Sequence, residues 1–154
     1  MLGYMGLALA VCGADLIIKD TVKENVEENQ KIYTCDDKIM ITKFYNPGAM
    51  LGAFGERPGV VKGFTIFGLG ALVGALSAIS GDRGRKLQKL GLSLMIGGAS
   101  SNAYERFQYG KVTDYIQFNF KNKKFRRVIY NLGDFAIFGG SFLLCLGELL
   151  YKDQ

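Results

Sequence analysis

The sequence predicts an all-α membrane protein with four transmembrane helices, joined by two long loops that fold into a small sheet at the membrane surface. Three observations carry this. The apolar residues come in long blocks instead of recurring at helix or strand period. Hydrophobic residues make up 49% of the 154, and 21 are glycine, about twice average usage; glycine is frequent in membrane helices because small residues let backbones approach closely. The loops between the blocks hold polar residues and β-formers, and backbone that is neither helical nor paired cannot face lipid.

The helices are expected at about residues 2–19, 60–80, 87–106 and 132–151 of a single membrane domain spanning 1–154. Crossing the hydrocarbon core takes about 20 mostly apolar residues. The second and fourth blocks meet this easily, whereas the first and third are short and end in polar residues. The first lacks a positively charged start and a small-residue cleavage motif, so it reads as a retained helix and not a signal peptide. In the second, Gly70 and Gly74 form a small-xxx-small pair, either a packing face or a reflection of composition. The link GDRGRK (81–86), with Lys89 after it, is short and basic, which places it and both chain ends in the cytoplasm and the long loops outside. Lys121, Lys123, Lys124, Arg126 and Arg127 in the second long loop pull the other way, and the first long loop is mixed in charge. IMITKFYN (39–46) reads as a strand, and YIQFNF (115–120) and FRRVIYN (125–131) read as a hairpin around KNKK.

The formal charge is +5 and histidine is absent, so no Ser-His-Asp or Cys-His nucleophile can be built. Cys12, Cys35 and Cys145 lie far apart without Cys-x-x-Cys spacing, which argues against metal. No metal, cofactor or nucleic-acid partner is expected, and the chain is expected to act as a monomer.

Ionisable residues near membrane spans are costly and therefore functional candidates. Asp15 and Lys19 share a helical face at the end of the first block. Gly98, Asn102 and Arg106 step by four at the end of the third, Asp114 follows closely, and Asn131 and Asp134 open the fourth. In an antiparallel arrangement all of these meet at one membrane face, the one that receives the long loops. Two close aspartates share a proton, so one can take a proton from attacking water while the other donates to a peptide carbonyl. Taken singly, each residue has a plainer reading: an Asp15–Lys19 helix pair, a turn residue at Asp114, a helix-start charge at Asp134, a snorkelling Arg106. Taken together at one face, the functional reading prevails.

These residues resemble the lipoprotein signal peptidase (signal peptidase type II) family. DLIIK (15–19) looks like its Asp-x-x-x-Lys motif, and YNPGAMLGAF (45–54) its Asn-Thr-Gly-Ala-Ala-Phe stretch. GGASSNAYERF (97–107) is similar to Gly-Gly-Ala-x-Gly-Asn-x-x-Asp-Arg. KVTDYIQF (111–118) and YNLGDFAI (130–137) resemble the segments carrying the two catalytic aspartates. The resemblance implies cleavage of prolipoproteins just before a diacylglyceryl-modified cysteine, in the bacterial cell membrane. Asp114 and Asp134 would be the aspartic dyad; Asn46, Gly48, Asn102, Arg106 and Asn131 would orient it or hold substrate, and Asp15 and Lys19 would support it. The extended loop segments would form an extracytoplasmic β-cradle. The lysines of the second loop differ from what the family leads one to expect, and would meet anionic phospholipid head groups. Pro47, Ser101, Glu105 and Gly133 depart from the family's threonine, glycine, aspartate and alanine. The alternatives are a non-catalytic lipid- or lipoprotein-binding relative on the same scaffold and a small four-helix transporter.

Overall fold

The computed structural model describes residues 1–28, 30–48, 54–120 and 127–151. Four long helices lie among them: α1 (Leu2–Asn25), α2 (Pro58–Ala78), α3 (Lys86–Tyr109) and α4 (Leu132–Leu150). Between them run β1 (Lys31–Thr34), β2 (Ile39–Asn46), β3 (Val112–Phe118) and β4 (Ile129–Tyr130).

Local chemistry sets the helix ends. Pro58 opens α2 in its first turn, where an amide hydrogen has no partner to lose. Gly110 ends α3 at φ 73°, a left-handed conformation that glycine adopts without strain. Asn131 caps α4 in a reciprocal box with Asp134. α1 runs past its expected end at residue 19, because its last turn is tied by Lys23 to Asp20 and by Asn25 to the Thr21 carbonyl.

α3 is the central helix and packs against each of the other three. Its glycines make this possible. A Cβ on Gly91 would lie 2.5 Å from the Gly140 carbonyl of α4, and one on Gly97 2.6 Å from the Ala8 carbonyl of α1. Gly98 and Gly133 press together in the same way. Gly70 and Gly74 of α2 have nothing within 4 Å of where a Cβ would sit, so the packing glycines are on α3 and α4 instead.

α1, α2 and α4 are each long and apolar enough to cross a membrane. Phe64 and Phe67 of α2 and Phe142 and Leu149 of α4 turn outward, as lipid-facing residues do. α3 falls outside that group. It buries Gln88, Lys89, Ser93, Ser101, Asn102 and Glu105, so its polarity points inward at the other helices. The Lys89 ammonium donates to the carbonyls of Ser80 and Asp82, tying the basic link together.

The strands form one antiparallel sheet in the order β1-β2-β3-β4. β2 occupies the expected residues 39–46. β3 pairs with β4 through Ile116↔Tyr130, the expected hairpin, whose KNKK turn lies outside the described residues. β1 was not foreseen; it joins β2 through a turn in which Cys35, Asp36 and Asp37 all have positive φ. The β2–β3 register shifts between Ile41↔Ile116 and Phe44↔Asp114, a bulge that interrupts the ladder beside Asp114. Val22 of α1 and Val26, just past its end, pack on Tyr115 of β3, with Ile41, Ile116 and Leu132 around them, and this small core joins the sheet to the helix ends.

Candidate active site

Asp114 projects from β3 and Asp134 from the first turn of α4, and Asn131 joins them. The Asn131 Nδ2 donates to Asp114 Oδ1 at 2.6 Å, and its backbone N–H donates to Asp134 Oδ2 at 3.1 Å. The other oxygens are met by two further asparagines: Asn46 Nδ2 donates to Asp114 Oδ2 at 3.2 Å, and Asn102 Nδ2 to Asp134 Oδ1 at 3.1 Å.

All three amides have their orientation fixed from the far side. The Oδ1 of Asn46 accepts the Gly48 N–H at 3.0 Å, that of Asn131 the Asp134 N–H at 2.9 Å, and that of Asn102 the Lys19 ammonium at 2.7 Å. Each of those partners can only donate, so each amide must turn its NH₂ to a carboxylate. Burial is the main influence pushing the Asp114 carboxyl up to about 7, and the nearby Asp134 adds to it. The donors Asn131 and Asn46 and the Lys19 charge oppose the shift.

Arg106 lines the cavity beside the pair. Its Nη2 donates to the Gly48 carbonyl at 2.9 Å and its Nη1 to Thr65 Oγ1 at 3.3 Å, tying the segment after β2 to α2. Behind the aspartates, Asp15 and Lys19 form a buried pair at 2.8 Å with no solvent exposure on either side chain. Every site residue expected from the sequence therefore falls in one connected cluster. A cavity of about 370 Å³ opens on it, walled by Phe64, Gly68 and Leu72 of α2 and Ile137 and Phe138 of α4, with Asn102, Arg106, Asp114 and Asp134 at its polar end.

Four participants were not singled out as site residues beforehand. Ser101 accepts from Lys19 at 3.0 Å and donates to Asp15 at 2.6 Å. Glu105 receives Lys23 at 2.6 Å and lies 3.5 Å from Lys19. Thr113 and Tyr115 flank Asp114 on the strand and bond to Glu105 and Asp15. Burial and the Asp15 charge together hold the Tyr115 hydroxyl protonated. Two spacings in the sequence mark them: Ser101 and Glu105 repeat the i,i+4 step of Asn102 and Arg106 one position earlier, and Thr113 and Tyr115 alternate with Asp114.

Apolar helices thus surround an amide-lined pair of carboxylates, Asp114 buried and Asp134 partly so, and this fold is shared with solved bacterial membrane proteins. A bacterial membrane enzyme solved at 2.3 Å by the in meso method superposes with a TM-score of 0.82 at 19% identity, covering 100% of this chain and 94% of that one. A second such structure, at 1.9 Å, gives 0.78 over 99% and 96% at 19% identity. The chain belongs to the signal peptidase II family, whose model, described as Signal peptidase (SPase) II, matches residues 7–150. Among its relatives, the lipoprotein signal peptidase of Bacillus subtilis is 32% identical over 151 residues, 97% of this chain and 94% of the relative. That of Moorella thermoacetica is 29% identical over 147 residues, covering 96% and 93%.

Proposed function

We propose that this protein is an aspartic endopeptidase that removes the signal peptide from diacylglyceryl-modified prolipoproteins, with Asp114 and Asp134 as the catalytic pair. Membership of the signal peptidase II family supports the reaction class and the prolipoprotein substrate. The observation that carries the aspartic mechanism is the set of three oriented asparagines that deliver NH₂ groups to two carboxylates.

In this reading the pair holds one proton near neutral pH, consistent with the raised Asp114 carboxyl. The ionised carboxylate takes a proton from water as the oxygen attacks the scissile carbonyl. The protonated one donates to the carbonyl oxygen, and the proton gained from water goes to the departing amine. Titration belongs to the pair, not to either residue alone.

The whole chain acts as one membrane domain and as a monomer, with α3 as a fourth span shielded by the other helices. The basic link 81–86 and both termini lie in the cytoplasm, and the sheet and the dyad lie at the extracytoplasmic face. The cavity between α2 and α4 has apolar walls, which suits a substrate arriving from the bilayer with its acyl chains among phospholipids.

The test is cleavage of a diacylglyceryl prolipoprotein by purified enzyme, with Asp114→Asn, Asp134→Asn and a chelator control. Cutting before the modified cysteine that survives chelator and is lost in both variants is the expected result. Cleavage by either variant at the native rate would remove the dyad. Photocrosslinkers placed at positions in residues 39–54 should trap the substrate; no adduct from any of them would count against sideways entry.

A further inference from the structure

Behind the dyad lies a second pair of carboxylates. Side chains alternate along a strand, so Thr113 and Tyr115 leave β3 on the face opposite Asp114. Each is held by a buried acid. The Thr113 N–H and hydroxyl donate to Glu105 at 2.7 and 2.9 Å. The Tyr115 hydroxyl donates to Asp15 at 3.0 Å and accepts the Leu132 N–H, one of the free amides at the start of α4, at 3.0 Å. An amide can only donate, so the direction of both Tyr115 bonds is forced.

The two acids share one ammonium. Lys19 lies 2.8 Å from Asp15 and 3.5 Å from Glu105, and donates to Asn102, which in turn donates to Asp134. Asp15, Lys19 and Glu105 are at most 1% exposed. Lys23 meets Glu105 from the other side at 2.6 Å, so two cations balance two buried acids. Meanwhile the sheet ladder is interrupted next to Asp114 by the β2 bulge, which leaves backbone pairing a weaker constraint there.

Resting on the reading of Asp114 and Asp134 as the catalytic pair, we propose that Thr113 and Tyr115 are positioning residues. Through them the Asp15–Lys19–Glu105 cluster grips β3 on both sides of Asp114, and through Asn102 it holds Asp134. One buried ion cluster thus sets the separation over which the dyad shares its proton.

The test compares Thr113→Val, Thr113→Ser and Tyr115→Phe with the unmodified enzyme in lipid. Two readouts are taken: kcat and KM on a lipidated prolipoprotein, and the pH titration of the Asp114 carboxyl band in the infrared, identified by its loss in Asp114→Asn. Thr113→Val and Tyr115→Phe should lower kcat by about 10- to 100-fold with KM little changed. They should also move the titration midpoint by about half a unit or more, while Thr113→Ser restores both. Native kcat and an unmoved midpoint in Thr113→Val and Tyr115→Phe would overturn the proposal. So would loss of the folding transition in both, which would make these residues parts of the scaffold alone. If the unmodified enzyme cleaves nothing, the peptidase reading fails, and the infrared arm still decides whether the cluster sets the state of Asp114.

Discussion

The Lys19 ammonium lies 2.7 Å from Asn102 Oδ1, and that contact decides which way the amide faces. With the oxygen taken, the NH₂ is left for Asp134. Lys19→Met would free the amide to turn and strand Asp15 and Glu105 as buried charges. The expected cost is about 3–5 kcal/mol of stability, read by thermal denaturation in detergent, together with loss of cleavage. A variant as stable and active as the native protein would show that the ammonium is dispensable.

Asp114 makes the protein sensitive to pH in a direction that can be worked out. Its folded carboxyl titrates near 7, against 3.8 when unperturbed. Between those values the folded chain keeps a proton that the unfolded chain has released, so this group's contribution to stability falls as pH rises through that window and levels off above it. Asp114→Asn should therefore raise Tm more at about pH 8 than at about pH 5. Cleavage by the native enzyme should decline above about pH 7 as the shared proton is lost. The groups facing Asp114 are Asp134, Asn131, Asn46, Arg106 and Lys19, and the pH dependence of Tm set by Asp114 disappears in Asp114→Asn. Activity holding level into strongly alkaline buffer would contradict this.

Arg106 bonds the Gly48 carbonyl and Thr65 with two different nitrogens. A lysine keeps the charge but cannot span both. Arg106→Lys should raise KM by about tenfold with a smaller change in kcat, since one or two polar contacts holding the segment after β2 are lost. Steady-state kinetics on a lipidated peptide decide it, and an unchanged KM would detach that segment from substrate binding.

Gly98→Ala adds one methyl where α3 meets the Gly133 backbone of α4. Backbone cannot swing aside as a side chain can, so the helices must part, at a cost of about 1–3 kcal/mol. Because Gly133 lies one residue before Asp134, activity should fall with stability. Gly70→Ala, which meets nothing within 4 Å, should leave both unchanged.

The polar ends of the helices were legible because i,i+4 steps and the alternation of apolar block and loop are local features. Asn102, Arg106, Asn131 and Asp134 could be found that way. Asp15 and Lys19 could too, but not the partners that join them into an ion cluster. Ser101 and Tyr115 reach Asp15 across 86 and 100 positions, and Tyr115 taken alone reads as one more aromatic β-former. β1 was missed because its four residues are all exposed and carry no alternating pattern. Glycine frequency marked close helix packing but not its place. Gly70 and Gly74 have the more obvious spacing, yet the contacts fall at Gly98 and Gly133, where two helices actually cross.

The inward polarity of α3 bears on how the chain is made. In the proposed four-span arrangement it carries Lys89, Asn102 and Glu105, each costly to leave among lipid tails; Lys89 is bonded from the preceding link, Glu105 from Lys23 and β3, and Asn102 from α1 and α4. α1 is available when α3 emerges from the ribosome; α4, which packs closely against it, comes later in the chain. Under the proposed four-span arrangement, the face of α3 that carries Gly91 and Gly98 stays uncovered until α4 follows. A nascent chain stopped at Phe120 would lack Asn131 and Asp134, and with them half of the amide-and-carboxylate cluster.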